Sequence, residues 1–259
     1  MTILVAVVCG VIGLAAGSFL NVVIDRVPRR ESVLHPGPHC PTCAAPMRLW
    51  DNLALLAYAR RRGRCPTCDA PASARSPLVE AATAALFVAV AVRFGASWVV
   101  PAYCLFFASL LAISLIDLDH YIVPNRIIYP TLAASAPLLL GAAALTHEWK
   151  SLERAALGGV AGFFAFLVIH VISPRGMGFG DVRLAGLIGV YLGWLGYGVI
   201  ALGFFLAFLL ASVIGIGLMI TRLRGRKDAV PFAPFMAMGG VAAVLWGQHL
   251  LHLYRSGRA

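Results

Sequence analysis

The chain has 259 residues, of which 60% are hydrophobic and only 12% charged, and its mean hydropathy is +0.86. That balance excludes a soluble globular domain. The formal net charge of +10 does not point to nucleic acid, because the basic residues fall in a few loops, which is how membrane topology is encoded.

The first apolar run, from Ile3 to Ile24, is long enough to span a bilayer, for which about 20 residues suffice. Met1 to Val5 lacks the basic n-region of a cleaved signal peptide. Cys9 follows Val8 rather than a small residue, so it reads as a buried apolar thiol and not as a lipidation site. Gly13 and Gly17 lie four apart, a small-residue face suited to close helix contact. Asn21, at the inner end of this span, is expected to hydrogen-bond a neighbouring helix.

A polar segment follows from Asp25 to Ser76. It carries Arg26, Arg29, Arg30, Arg48, Arg60, Arg61, Arg62, Arg64 and Arg75, a density that marks it as cytoplasmic and turns the N-terminus outward. Within it, Cys40-Pro41-Thr42-Cys43 is echoed by Cys65-Pro66-Thr67-Cys68, with 21 residues between Cys43 and Cys65. That is a zinc-ribbon spacing: four thiolates close a tetrahedral structural site and leave no open position for catalysis. Metal then supplies folding energy that a short arginine-rich segment cannot draw from a core. Disulfides compete with this reading, but the cytoplasm keeps thiols reduced. A redox role is weaker, because no thioredoxin-like βαβ pattern surrounds the two near-identical turns.

Seven more spans are predicted: Pro77–Val92, Trp98–Ile116, Arg126–Leu145, Leu157–Ile172, Val182–Leu195, Tyr197–Ile220 and Phe232–Leu253. The fold class is thus an all-α polytopic membrane protein of about eight helices, with a small cytosolic zinc-ribbon insertion after the first. Its parts are the first helix (1–24), the cytosolic segment (25–76) and a membrane bundle (77–259). Alternation from an outer N-terminus puts the loop Arg222-Leu223-Arg224-Gly225-Arg226-Lys227 inside, as its charge requires. Cys104, within a span, is read as packing. Gly158/Gly162 and Gly189/Gly193 repeat the small-residue spacing of helix contacts. His170 is read as interfacial, and Trp98, Trp149 and Trp194 as an aromatic belt.

Two aspartates break the apolar pattern. Asp117 ends the third span in Leu115-Ile116-Asp117-Leu118-Asp119-His120, and Asp181 closes Gly176-Met177-Gly178-Phe179-Gly180-Asp181 ahead of the sixth. A charge within a span costs about 2.5–3.5 kcal/mol on insertion scales, so each marks a functional site by default. The span count places both at the inner face. Two neighbouring carboxylates share a proton, one drawing a proton from water while the other protonates a peptide carbonyl oxygen. Gly176, Gly178 and Gly180 are expected to permit positive φ values and a close approach to an extended substrate. Asp119 points away from Asp117 on a helix, and Asp119 and His120 are read as interfacial. The plain alternative for Asp181 is the N-cap of the sixth span.

These segments resemble the type 4 prepilin peptidases, the GxGD class of membrane aspartyl proteases. The resemblance covers nearly the whole chain: Gly17-Ser18-Phe19-Leu20-Asn21-Val22-Val23, the two CxxC pairs, Asp51-Asn52, Ser76-Pro77-Leu78-Val79-Glu80, the Asp117 segment with Pro124, Gly176 to Asp181, and Pro231-Phe232-Ala233-Pro234-Phe235. It implies an aspartyl endopeptidase of the cytoplasmic membrane with Asp117 and Asp181 as its catalytic pair. The expected substrates are prepilins or pseudopilins, cut after a glycine at the end of a short basic leader. Pilus or secretion machinery and membrane lipid are the implied partners. The cysteine-bearing segment implies a second activity, N-methylation of the new N-terminus from S-adenosylmethionine. No residue is assigned to the methyl donor, with Glu80 a weak candidate beside it. Arg183 stands where lysine is usual, Ser76 where tyrosine is, Ala54 where proline is, and Ala233 where glycine is. The rival readings are a peptidase without methylation, a proton-coupled transporter, and a scaffold that docks a secretion partner through its ribbon. The glycine-rich turn before Asp181 and the lack of an evident inverted repeat in this sequence count against a transporter.

Overall fold

The computed structural model describes residues 2–33, 43, 64, 67–70, 73–174, 177–221 and 230–256. Among them eight helices follow one another: α1 Thr2–Arg26, α2 Arg75–Phe94, α3 Val100–His120, α4 Asn125–Thr146, α5 Trp149–Ile172, α6 Phe179–Leu195, α7 Tyr197–Ile220 and α8 Ala233–Ser256. Each matches one apolar run of the sequence. Six of them, α1 to α5 and α7, are long and apolar enough to cross a membrane. Their outward faces are apolar too, with Ile3, Val171 and Ile220 among the most exposed side chains. Water would not tolerate so much exposed hydrocarbon on helix after helix, so the chain is a multi-pass membrane protein.

The other two helices fall short of the expected eight spans for different reasons. α6 has 17 residues, a rise of about 25 Å against a hydrocarbon core of about 30 Å. α8 has 24 residues but carries Gln248, His249 and His252 near its end.

The chain forms two compact units, Met1–Val100 and Pro101–Ala259. Within the first unit α2 packs along α1, because the glycine face of α1 lets the backbones touch. A Cβ on Gly13 would lie 2.6 Å from Ala84 Cα, and one on Gly17 would lie 2.6 Å from Glu80 Cα. Asn21 Nδ2 donates to Ser76 O at 3.1 Å and ties the two helices further along. α2 ends at Gly95, whose φ of 62° suits glycine and whose N–H returns to Ala91 O at 2.8 Å.

In the second unit α6 is the centre. It buries residues on nearly every side, from Asp181 to Trp194, and its largest contact is with α5. That contact is again backbone on backbone: a Cβ on Gly158 would strike Gly189 O, one on Gly189 would strike Gly158 O, and one on Gly162 would lie 2.6 Å from Ala185 O. α3 reaches α6 through rings instead. Phe106 stacks on Tyr191 with centroids 4.1 Å apart, and Tyr103 Oη donates to Tyr191 O at 2.7 Å. Tyr191 Oη meets Ser135 Oγ of α4 at 2.5 Å, and that hydroxyl donates onward to Thr131 O at 2.6 Å. The polar tips are thereby satisfied in an apolar interior, where leaving one unbonded costs about 1–3 kcal/mol. Gly196, at φ 136°, breaks α6 from α7 with a backbone that only glycine adopts freely. Trp194 is buried rather than part of an aromatic belt, whereas Trp98 and Trp149 are exposed.

Candidate active site

Asp117 lies in the last turns of α3 and is buried at 5% exposure, whereas Asp119 and His120 just beyond it are exposed. Successive helical residues are about 100° apart, so Asp119 faces almost opposite to Asp117. The buried carboxylate is met by the start of α8, where Ala233 N–H donates to Asp117 Oδ2 at 3.1 Å. The first N–H groups of a helix have no partner within it, and the helix dipole adds positive character there. Pro231-Phe232-Ala233-Pro234-Phe235 thus acquires a physical role that its family likeness had not supplied: it aims a helix start at an acid.

Asp181 is buried to a similar degree, at 8% exposure, and sits at the third position of α6. It is not the N-cap that the plain reading proposed; Gly178 is. Gly178 N–H donates to Asp181 Oδ2 at 3.2 Å, and Asp181 N–H donates back to Gly178 O at 3.1 Å. Each acid therefore has a backbone N–H held to one of its oxygens, a charge-assisted bond.

Local packing explains how they come together. The α3–α4 connection runs from Tyr121, whose φ of 55° turns the chain and whose N–H caps Asp117 O at 2.9 Å, to Pro124 ahead of α4. Val123 from this connection lies on Gly180, where a Cβ would come 2.7 Å from Val123 Cβ. Arg183 extends the clamp, donating to Asn125 Oδ1 at 2.6 Å with its guanidinium 4.4 Å above the Phe179 ring. So the segment after Asp117 is fastened to the turn that carries Asp181.

The expected role of the glycines needs correction. Gly178 has φ −70° and ψ 148°, an ordinary extended conformation, and Gly180 lies within helix α6. Neither has positive φ. Gly180 does serve close approach, but to Val123. Gly176 lies outside the described residues.

His170, read from sequence as interfacial, is half-buried at the end of α5, with Nδ1 2.8 Å from Met177 O. Its ring lies 5.6 Å from Phe179. Nothing in the sequence pairs residue 170 with 177, because the pairing depends on how the chain folds back between α5 and α6.

Glu80, the weak candidate for the methyl-donor site, is fully buried where α2 crosses Gly17. Cys43 and Cys68 are exposed, and an Arg64–Asp69 ion pair of 2.7 Å spans the second cysteine turn. Cys40 and Cys65 lie outside the described residues, as do Asp51, Asn52 and Ala54. Among the described residues no cluster of three or more His, Cys, Asp or Glu could hold a metal ion.

The chain is thus a polytopic helical membrane protein with one buried carboxylate at the end of α3 and another at the start of α6. Known proteins narrow the class. The bacterial peptidase A24 N-terminal domain matches residues 11–94, and the type IV leader peptidase family matches residues 104–220. The chain is 36% identical to the prepilin leader peptidase/N-methyltransferase of Stutzerimonas stutzeri, over 94% of this chain and 91% of that protein. Its identity to the protein of the same name from Pseudomonas aeruginosa is 34%, over 96% and 93%, and to that from Bacillus subtilis 30%, over 94% and 95%. No solved structure matches. The chain belongs to the type IV leader peptidase family and is a membrane peptidase.

Proposed function

We propose that the chain removes the leader from type IV prepilins or pseudopilins at the cytoplasmic face of the inner membrane, with Asp117 and Asp181 as its acid pair. The observation that carries this reading is that both acids, one from the end of α3 and one from the start of α6, are buried, and that the segments carrying them touch where Val123 lies on Gly180. With the N-terminus outside, alternation through α1 to α5 puts both segments at the inner interface. A basic leader then stays in the cytoplasm while the pilin helix lies in the bilayer, and the scissile bond falls between them.

The chemistry needs one proton shared by two carboxyls. The ionised acid takes a proton from water as its oxygen attacks the scissile carbonyl carbon, and the neutral acid gives its proton to the carbonyl oxygen. The tetrahedral diol then collapses: one hydroxyl returns its proton to the pair and becomes the new carbonyl, the C–N bond breaks, and the leaving nitrogen takes a proton from the other acid. The N–H groups of Ala233 and Gly178 hold one oxygen of each carboxylate in place while the other is left to react. Asp117→Asn and Asp181→Asn are each expected to lower the rate of leader removal by about 10²–10⁴-fold, the usual worth of general acid–base catalysis. Leader processing followed by gel shift checks this, with thermal melting to show that both variants fold. Normal processing by both would reject the mechanism.

The names of the relatives support a second activity, methylation of the new N-terminus with S-adenosylmethionine as donor. Mass spectrometry of a processed pilin tests it, since an N-terminus without the added methyl mass would leave a peptidase alone. Cys40, Cys43, Cys65 and Cys68 are proposed to hold a structural zinc. The donor set fits that ion, being four thiolates in paired turns on a segment with little core of its own. Zinc there would cross-link the two turns and take no part in either reaction.

A further inference from the structure

We propose that His170 is a positioning residue for Asp181 that acts through the peptide unit joining Met177 to Gly178. The inference rests on the acid-pair reading above. Two bonds already described fall on that one planar unit. Its carbonyl, Met177 O, lies 2.8 Å from His170 Nδ1, and its amide, Gly178 N–H, donates to Asp181 Oδ2 at 3.2 Å. A carbonyl oxygen has no proton to give, so Nδ1 carries the hydrogen and donates. The chain of groups runs His170 Nδ1–H to Met177 C=O, then Gly178 N–H to the Asp181 carboxylate. Because a peptide is rigid and planar, fixing its oxygen fixes the direction of its N–H. Because serial hydrogen bonds polarise one another, the first strengthens the second.

The surroundings show why such an anchor is needed. Met177 and Gly178 precede α6 and lie in no helix, so no intrahelical bond orients their peptide. Gly178 brings no side chain to restrain it, and its φ and ψ of −70° and 148° are open to many neighbouring values. Met177 is buried at 8% exposure, but burial of its side chain does not set the peptide plane. His170 reaches across from the last turn of α5 to do so, and its ring is braced against Phe179 at 5.6 Å. The imidazole bonds a backbone carbonyl, and its effect on the reaction passes through that backbone group.

Isosteres separate this role from simple packing. Asparagine carries its Nδ2–H₂ on the same carbon, Cγ, that bears Nδ1 in histidine. Glutamine puts its nitrogen one bond further out, and leucine has no donor. In the full-length enzyme, assayed in detergent with a precursor bearing a basic leader and an apolar helix, His170→Leu and His170→Gln are expected to lower kcat by about 10- to 100-fold. KM should change by less than about twofold, because the leader does not bind the affected bond. His170→Asn should recover most of the lost kcat. Gly178→Pro removes the relay's N–H at a φ that proline shares. If both residues act on one bond, His170→Leu should add little to Gly178→Pro, whereas independent effects multiply.

Wild-type kcat in His170→Leu, an Asn variant no better than Gln, or multiplying effects in the double variant would each overturn the proposal. Should Gly178→Pro not accumulate as folded protein, the comparison of Asn with Gln decides alone. Asp117→Asn and Asp181→Asn in the same assay keep the two readings apart. If those variants cleave normally the acid-pair mechanism fails; if they are dead while His170→Leu is unimpaired, only this inference fails.

Discussion

Gly180 sets how near the two acid-bearing segments can come. A Cβ there would lie 2.7 Å from Val123 Cβ and 3.4 Å from Val123 O, so even alanine must push the α3–α4 connection off the start of α6. A displacement of that kind separates Asp117 from Asp181, and misplacing catalytic groups by about 1 Å can cost up to 10²-fold. Gly180→Ala is expected to lower kcat by about tenfold or more. Val123→Ala should not relieve it, because the clashing Cβ remains, whereas Val123→Gly should; steady-state cleavage rates of the three variants check the order. Ala233 offers a test of opposite kind. Proline suits the first turn of a helix but has no N–H, so Ala233→Pro leaves α8 able to form and strips the bond to Asp117 Oδ2. The expected result is a fall in kcat of about 10- to 100-fold, the worth of a hydrogen bond to a charged group, with a Tm within a few degrees of the parent. A variant with normal kcat would show that the α8 terminus does not serve the acid.

Among the elements, α6 is held in two ways that respond differently to mutation. Its contact with α5 is backbone on backbone along Gly158, Gly162, Gly189 and Gly193, where an added methyl meets a carbonyl oxygen rather than a flexible side chain. Gly189→Ala is therefore expected to destabilise by about 1–3 kcal/mol, as overpacking does, seen as a lowered melting temperature in detergent. Its contact with α3 and α4 is a hydroxyl relay through Tyr191, Ser135 and Thr131 O. Tyr191→Phe keeps the stack on Phe106 and loses only the bond, so it should cost about 1 kcal/mol or less. These contacts also show what a sequence can disclose. The eight apolar runs and the glycine pairs are one-dimensional patterns, visible because helices repeat every 3.6 residues and small residues four apart share a face. The acids were visible because a charge stands out in an apolar chain. The partner of each was not. That Gly180 faces Val123, that Ala233 reaches Asp117 and that His170 meets Met177 are facts of connection between loops, and no periodicity encodes them. Trp194 misled for a related reason: its place near a helix end fits a membrane interface, but α6 is the buried centre of its unit, so its end is buried as well.

On the scale of the whole molecule, the two family matches fall on the two compact units, residues 11–94 on Met1–Val100 and residues 104–220 on Pro101–Ala259. Asp117, Asp181, Ala233, His170 and the Val123–Gly180 clamp all belong to the second unit, whereas the four cysteines belong to the first. The N–H groups bonded to the two acids, those of Gly178 and Ala233, both belong to the second unit. If those turns hold a structural zinc, metal loss should unfold their own segment, since a segment with little core depends on the ion for its fold, and should leave peptide cleavage standing. Cys43→Ser and Cys68→Ser in the full-length protein are expected to reduce bound zinc, measured by atomic emission, from about one equivalent per chain towards none. Leader removal should persist within about threefold, a change of under 1 kcal/mol in barrier, while methylation of the new N-terminus, read by mass spectrometry on the same product, should fall away. Equal loss of both activities would mean that the acid pair depends on the first unit after all, and full zinc in both variants would mean that the paired cysteine turns do not form the site.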